Sequence, residues 1–108
     1  MTYSVTAPLL DALVLAVVCR EETYGYRITQ DVREAIDVSE STLYPVLRRL
    51  QKDGCLETYD RETGGRNRRY YRATRKGHLQ FEVFLEEWRT YKERIEQILI
   101  GGVENDKT

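Results

Sequence analysis

The period of the apolar positions changes along the chain, and each change predicts an element. The run Leu9-Leu10-Asp11-Ala12-Leu13-Val14-Leu15-Ala16-Val17-Val18 is apolar on nearly every side of a helix. Pro8 opens it, since a proline's missing N–H costs nothing in a first turn. A helix of this kind has to be covered on more than one side, by its own domain and by another chain. Thr23-Tyr24-Gly25 punctuates, and Ile28, Val32 and Ile36 at spacing four predict a second helix from about Tyr26 to Ala35. Asp37-Val38-Ser39 is a short turn from which Ser39 or Ser41 can cap a third helix. Leu43, Val46, Leu47 and Leu50 give that helix one buried face, and Gly54 stops it as the residue after its C-cap. Pro45 is tolerated if the helix begins near Glu40 or Ser41.

Beyond Gly54 the period drops to two. Cys55 to Arg61 alternates, and Arg69 to Ala73 does likewise, around Thr63-Gly64-Gly65-Arg66-Asn67. Two strands rich in Tyr and Thr flanking a Gly-Gly turn predict a β-hairpin. Thr74 then caps a last helix from about Arg75 to Ile100, stopped by Gly101-Gly102. Helix, helix, helix, hairpin, helix is the order of a winged helix-turn-helix. The fold class is therefore mainly α with a small β-hairpin. Residues 1–74 would form the winged helix-turn-helix, 75–102 a C-terminal dimerisation helix, and 103–108 a disordered polar tail.

The 108 residues are 41% hydrophobic and 32% charged, which fits one globular domain. A net charge of -1 argues against a protein that is basic throughout. The total hides a stripe, because residues 43–76 hold ten basic and only four acidic side chains. Such a stripe is a footprint for a polyanion, although charge taken alone favours the plainer reading, a solvated face. A single histidine, His78, leaves little for acid–base or metal chemistry, so no enzyme and no cofactor are expected. His78 and Glu82, four apart, lack a third ligand and read as a surface pair. Cys19 and Cys55 show no CxxC spacing and no secretory leader precedes them, which suggests reduced thiols that pack as small hydrophobes in a cytoplasmic protein. No apolar run is long enough for a membrane span.

With its leucines turned inward, the third helix leaves Ser39, Ser41, Thr42, Tyr44, Arg48, Arg49 and Lys52 for double-stranded DNA. Hydroxyls and a tyrosine at the tip suit base edges, and the cations behind them suit phosphates. The hairpin adds Arg61, Arg66, Arg68 and Arg69, of a kind that enters the minor groove.

These residues carry a resemblance. Tyr24-Gly25-Tyr26, Ser41-Thr42-Leu43-Tyr44-Pro45-Val46-Leu47-Arg48-Arg49-Leu50, Lys52-Asp53-Gly54, Gly65-Arg66-Asn67-Arg68-Arg69-Tyr70-Tyr71-Arg72-Ala73-Thr74 and Lys76-Gly77 are similar to the PadR family of bacterial transcriptional regulators. The resemblance runs from about Leu9 to Ile100. It implies that Tyr44, its neighbours and the wing arginines contact operator DNA. A single C-terminal helix looks like the small branch of the family, which forms dimers and represses. Asn67 departs from the proline often found there, which implies a more mobile wing.

Phe81, Phe84, Trp88, Tyr91, Ile95 and Ile98 are spaced 3, 4, 3, 4, 3, an a/d seam that predicts a homodimer. Two-fold symmetry would set two recognition helices on a pseudo-palindromic operator. In some family members a tryptophan in this helix stacks with its symmetry mate around a flat aromatic ligand. The resemblance thus suggests a small aromatic ligand on Trp88 beside Glu87, while Trp88 as a plain interface residue stays open. A winged-helix module that binds protein instead of DNA is the alternative of another class, which the outward arginines disfavour.

Overall fold

The computed structural model describes residues 7–101, so Gly102 and the predicted tail 103–108 lie outside the described residues. Helix α1, Ala7–Arg20, carries the apolar run. Val14, Leu15, Val17 and Val18 are buried, and α1 packs against α2, α3, α4 and the hairpin. Helix α2, Gly25–Arg33, ends two residues earlier than its periodicity predicts. The Glu34 and Ala35 N–H groups bond three residues back, to Asp31 (3.3 Å) and Val32 (3.0 Å), tightening the last turn. Ile36 still packs on the core, from the turn rather than from the helix.

Helix α3, Glu40–Lys52, begins at Ser39, whose Oγ accepts from the Thr42 N–H at 3.3 Å. It ends on Gly54 at φ +80. The Cys55 N–H bonds the Leu50 carbonyl (2.9 Å) and the Gly54 N–H bonds that of Gln51 (3.0 Å), a Schellman closure with buried Cys55 and Leu50 as its apolar pair. Pro45 is the sixth helical residue, beyond the first turn where proline is free of cost. The Ser41 carbonyl therefore lacks its i+4 donor and has to be satisfied by solvent at this exposed end.

Strands β2, Leu56–Thr63, and β3, Arg66–Ala73, pair antiparallel from Leu56↔Ala73 to Thr63↔Arg66. The turn is only Gly64 (φ +61) and Gly65 (φ +78), both left-handed, which is the type I′ geometry that matches strand twist. The hairpin is consequently longer than predicted, with Thr63, Arg66 and Asn67 in the ladder and Asn67 opposite Glu62. A third strand, β1 (Thr23–Tyr24), pairs with Tyr71 and Tyr70 and gives the order β1-β3-β2. Two residues carry no visible alternation, so this strand exists only because β3 offers it an edge.

Helix α4, Arg75–Leu99, is locked to the rest at its N-terminus. The Thr74 N–H bonds the Cys55 carbonyl (3.0 Å), and its hydroxyl donates to the Gly54 carbonyl (2.6 Å) while accepting from the Gly77 N–H (3.1 Å). Lys76 Nζ reaches the Asp53 carbonyl at 2.7 Å. Here the turn after α3 and the start of α4 approach so closely that a Cβ on Gly77 would lie 2.1 Å from the Cys55 carbonyl oxygen. Phe81 and Phe84 pack partly on the core, and from Glu86 through Ile100 every side chain is exposed. The radius of gyration, 16.9 Å against about 13 Å for a compact chain of this length, reflects this projecting helix.

Helix propensity alone predicts that Gly77→Ala stabilises the protein by about 1 kcal/mol. The contact with the Cys55 backbone predicts the opposite sign, a loss of about 2 kcal/mol in urea denaturation.

Candidate nucleic-acid interface

The tip of α3 is built by its own cap. Ser39 Oγ lies 2.9 Å from Ser41 Oγ and 3.1 Å from Thr42 Oγ1, so three hydroxyls cluster over the first turn. Burial of Leu43, Val46, Leu47 and Leu50 turns Thr42, Tyr44, Pro45, Arg48, Arg49 and Lys52 to the exposed side. Tyr44 is 38% exposed, and its hydroxyl donates to Glu40 Oε2 at 3.2 Å. Its ring leans on the start of α2, where a Cβ on Gly25 would sit 3.0 Å from Tyr44 Cε1. Burial, then the Glu40 carboxylate, push the Tyr44 hydroxyl above its ordinary value, so it stays protonated at neutral pH.

The cations divide by partner. Arg49 is ion-paired and hydrogen-bonded to Asp11 on α1, which ties α3 to the central helix. Arg48 and Lys52 have no ion pair among the described residues. On the hairpin, strand alternation separates two faces. Arg69 shares a face with Tyr71, which belongs to the core cluster, and stands 4.0 Å from Asp60 in an open pair. Burial pushes the Tyr71 hydroxyl up, while Arg69 and Arg48 pull it back, so both cations act on the region between α3 and the wing.

The opposite face is a ladder of arginines on tyrosines. Tyr70 stands 5.5 Å from both Tyr24 and Tyr59, and its hydroxyl is 2.8 Å from Thr63 Oγ1. Arg68 covers Tyr24 at 4.5 Å, Arg61 covers Tyr70 at 5.4 Å, and Arg72 covers Tyr59 at 5.1 Å. Arg72 also bonds Glu57 at 2.8 Å. Cation–π contacts of this type fix the arginine stems as struts of the sheet. Arg66 alone flanks the Gly-Gly apex. The arginines that lie close in sequence are thus split among apex, inner face and outer face. Glu40 lies at the helix tip that the sequence marks and Tyr24 in the Tyr24-Gly25-Tyr26 motif, but the hold of Glu40 on the Tyr44 hydroxyl and the seat of Arg68 on Tyr24 appear only in the packed structure.

On α4, Phe81 and Phe84 face the chain's own core, whereas Trp88, Tyr91, Ile95 and Ile98 stand exposed, Ile98 by 80%. An open cleft of about 550 Å³ between α1 and α4 is lined by Leu9, Ala12, Phe84, Glu87, Trp88 and Tyr91, among others. The Trp88 and Tyr91 rings lie 6.4 Å apart. Among the described residues no group of three metal-ligating side chains occurs, and no helix is long and apolar enough to cross a membrane. Burial raises the thiols of Cys19 and Cys55 above their ordinary value, which suits packing rather than nucleophilic chemistry.

Comparison with known proteins agrees with this architecture. The profile of the transcriptional regulator PadR-like family matches residues 14–83. The chain is 40% identical over 82 residues to the transcriptional regulator Rv3488 of Mycobacterium tuberculosis, covering 75% of this chain and 73% of that protein. Its structure is similar to that of smu.1704 from Streptococcus mutans, with a TM-score of 0.88, 42% identity and coverage of 94% and 95% of the two chains. A PadR family transcription regulator from Clostridium difficile gives a TM-score of 0.78 at 30% identity, over 83% of this chain and 97% of that one. By family match, sequence identity and fold together, the chain belongs to the PadR-like family of transcriptional regulators.

Proposed function

We propose that the protein is a dimeric, sequence-specific repressor that reads a pseudo-palindromic DNA operator. The observation that carries this reading is the exposed tip of α3, with Thr42, Tyr44, Arg48 and Lys52, standing beside a wing that offers Arg66 and Arg69. Hydroxyl and phenol groups supply base contacts, and the cations neutralise phosphates on either side. Residues 1–74 act as the reading domain, and α4 joins two of them.

The exposed stripe of Trp88, Tyr91, Ile95 and Ile98 is the dimer seam, extended by Leu99 at 72% exposure. Apolar surface of this extent on a projecting helix favours burial against a second copy. Phe81 and Phe84, already packed on the chain's own core, contribute at its edge. The cleft under Trp88 suits a flat aromatic ligand, with Glu87 to balance a positive charge. Filling it would alter the seam and thereby the spacing of the two reading helices.

DNA binding is tested by fluorescence anisotropy on random duplexes across a salt series. Arg48→Ala, Lys52→Ala and Arg66→Ala should each flatten the slope of log K against log salt by about 1. Arg49→Ala should change it far less, because Asp11 already offsets that charge. A wild-type protein with no duplex affinity at low salt would leave the winged helix as a protein-binding module. Ile95→Glu should convert the dimer to monomer in sedimentation velocity without loss of helical circular dichroism. Trp88 is the only tryptophan, so a planar aromatic cation bound in the cleft should quench most of the protein's indole emission.

A further inference from the structure

We propose that Glu40 and the Tyr44 hydroxyl it holds form a pair of hydrogen-bond acceptors that selects adenine or cytosine at one position of each operator half-site. This rests on the DNA-reading role proposed above and assigns a base preference to one corner of it.

The chemistry follows from one proton. The Tyr44 hydroxyl has a single hydrogen, and at 3.2 Å it is directed to Glu40 Oε2. What Tyr44 then presents outward is an oxygen lone pair, and what Glu40 presents is its remaining carboxylate acceptor capacity. In the major groove, adenine N6 and cytosine N4 carry amino donors, whereas guanine O6 and N7 and thymine O4 are acceptors. An acceptor-only pair therefore favours an amino-bearing base on the strand it faces and is repelled by guanine or thymine there.

Two further features bind the pair to this task. Glu40 is the only acid on α3, at its first turn, while the helix carries Arg48, Arg49 and Lys52 behind it. A carboxylate at the tip suits the positive end of α3, but beside phosphates it weakens general affinity, so toward DNA it can add selectivity and not anchoring. The second feature is the seat of the ring. The close approach of Tyr44 Cε1 to Gly25 leaves no room on the α2 side and keeps the hydroxyl over the first turn. Ser41 and Thr42 next to it carry hydroxyls that rotate to donate or accept, and so discriminate less.

The test is selection from a random duplex library with wild-type protein, Glu40→Gln and Tyr44→Phe. Wild type should enrich adenine or cytosine over guanine and thymine by roughly five- to a hundredfold at one position per half-site. Glu40→Gln, whose amide adds a donor, should lower that bias to about twofold or shift it toward guanine and thymine, with the preferences at other positions kept and general duplex affinity raised by the loss of a negative charge. Tyr44→Phe should reduce the bias at the same position only. An unchanged preference at every position in Glu40→Gln overturns the inference while the DNA-reading role stands. Loss of all duplex affinity by a folded Glu40→Gln protein also overturns it, because that outcome assigns Glu40 an anchoring role. Failure of wild type to enrich any sequence removes the DNA-reading role itself.

Discussion

The architecture depends on the need to cover α1. Its apolar side chains occupy nearly the whole circumference, and Leu15 is fully buried along with Val14. Burying a single such side chain contributes about 2 kcal/mol, so several of them outweigh any local preference of the surrounding segments. The other three helices and the hairpin all pack against α1. The side left open, at Leu9 and Ala12, is where the cleft under Trp88 lies. The central helix thus connects α2, α3 and the hairpin with α4, whose second half projects from them.

A second constraint sets the angle between these parts. The peptide around Gly54 and Cys55 closes α3, begins β2 and receives the cap of α4. Three elements share one short stretch of backbone, and only a glycine at position 77 lets them meet. Close-packed backbone has little compliance. The seating of α4 and that of the α3–wing pair are accordingly fixed through the same few backbone contacts.

The charges illustrate how identical side chains take different duties. Arg49 is held by Asp11, while Arg48 one residue earlier faces solvent near Tyr71. Arg68 lies over Tyr24 and Arg69 turns to the other face. A one-residue step reverses direction in a strand and turns about 100° on a helix, so neighbours in a basic run seldom share a surface. The usable cations are therefore fewer than the charge count suggests, and their positions are correspondingly better defined.

Much of the fold is legible in the amino-acid order because its signals are local. Ser39 and Thr74 cap where their side chains dictate, Gly54 and Gly64-Gly65 turn where only glycine is comfortable, and the leucines of α3 mark its buried face. The exposed tip of α3 follows from that same periodicity. Contacts between distant segments have no such signature. Strand β1 forms by pairing with β3, α2 stops where its last turn tightens, and the arginines sort onto tyrosines that lie far away in the chain. The hold of Glu40 on Tyr44 spans only four residues, yet its place beside Gly25 is set by how α2 and α3 cross. Local backbone chemistry decides which elements exist, whereas the packing of elements decides which side chains are left free to act.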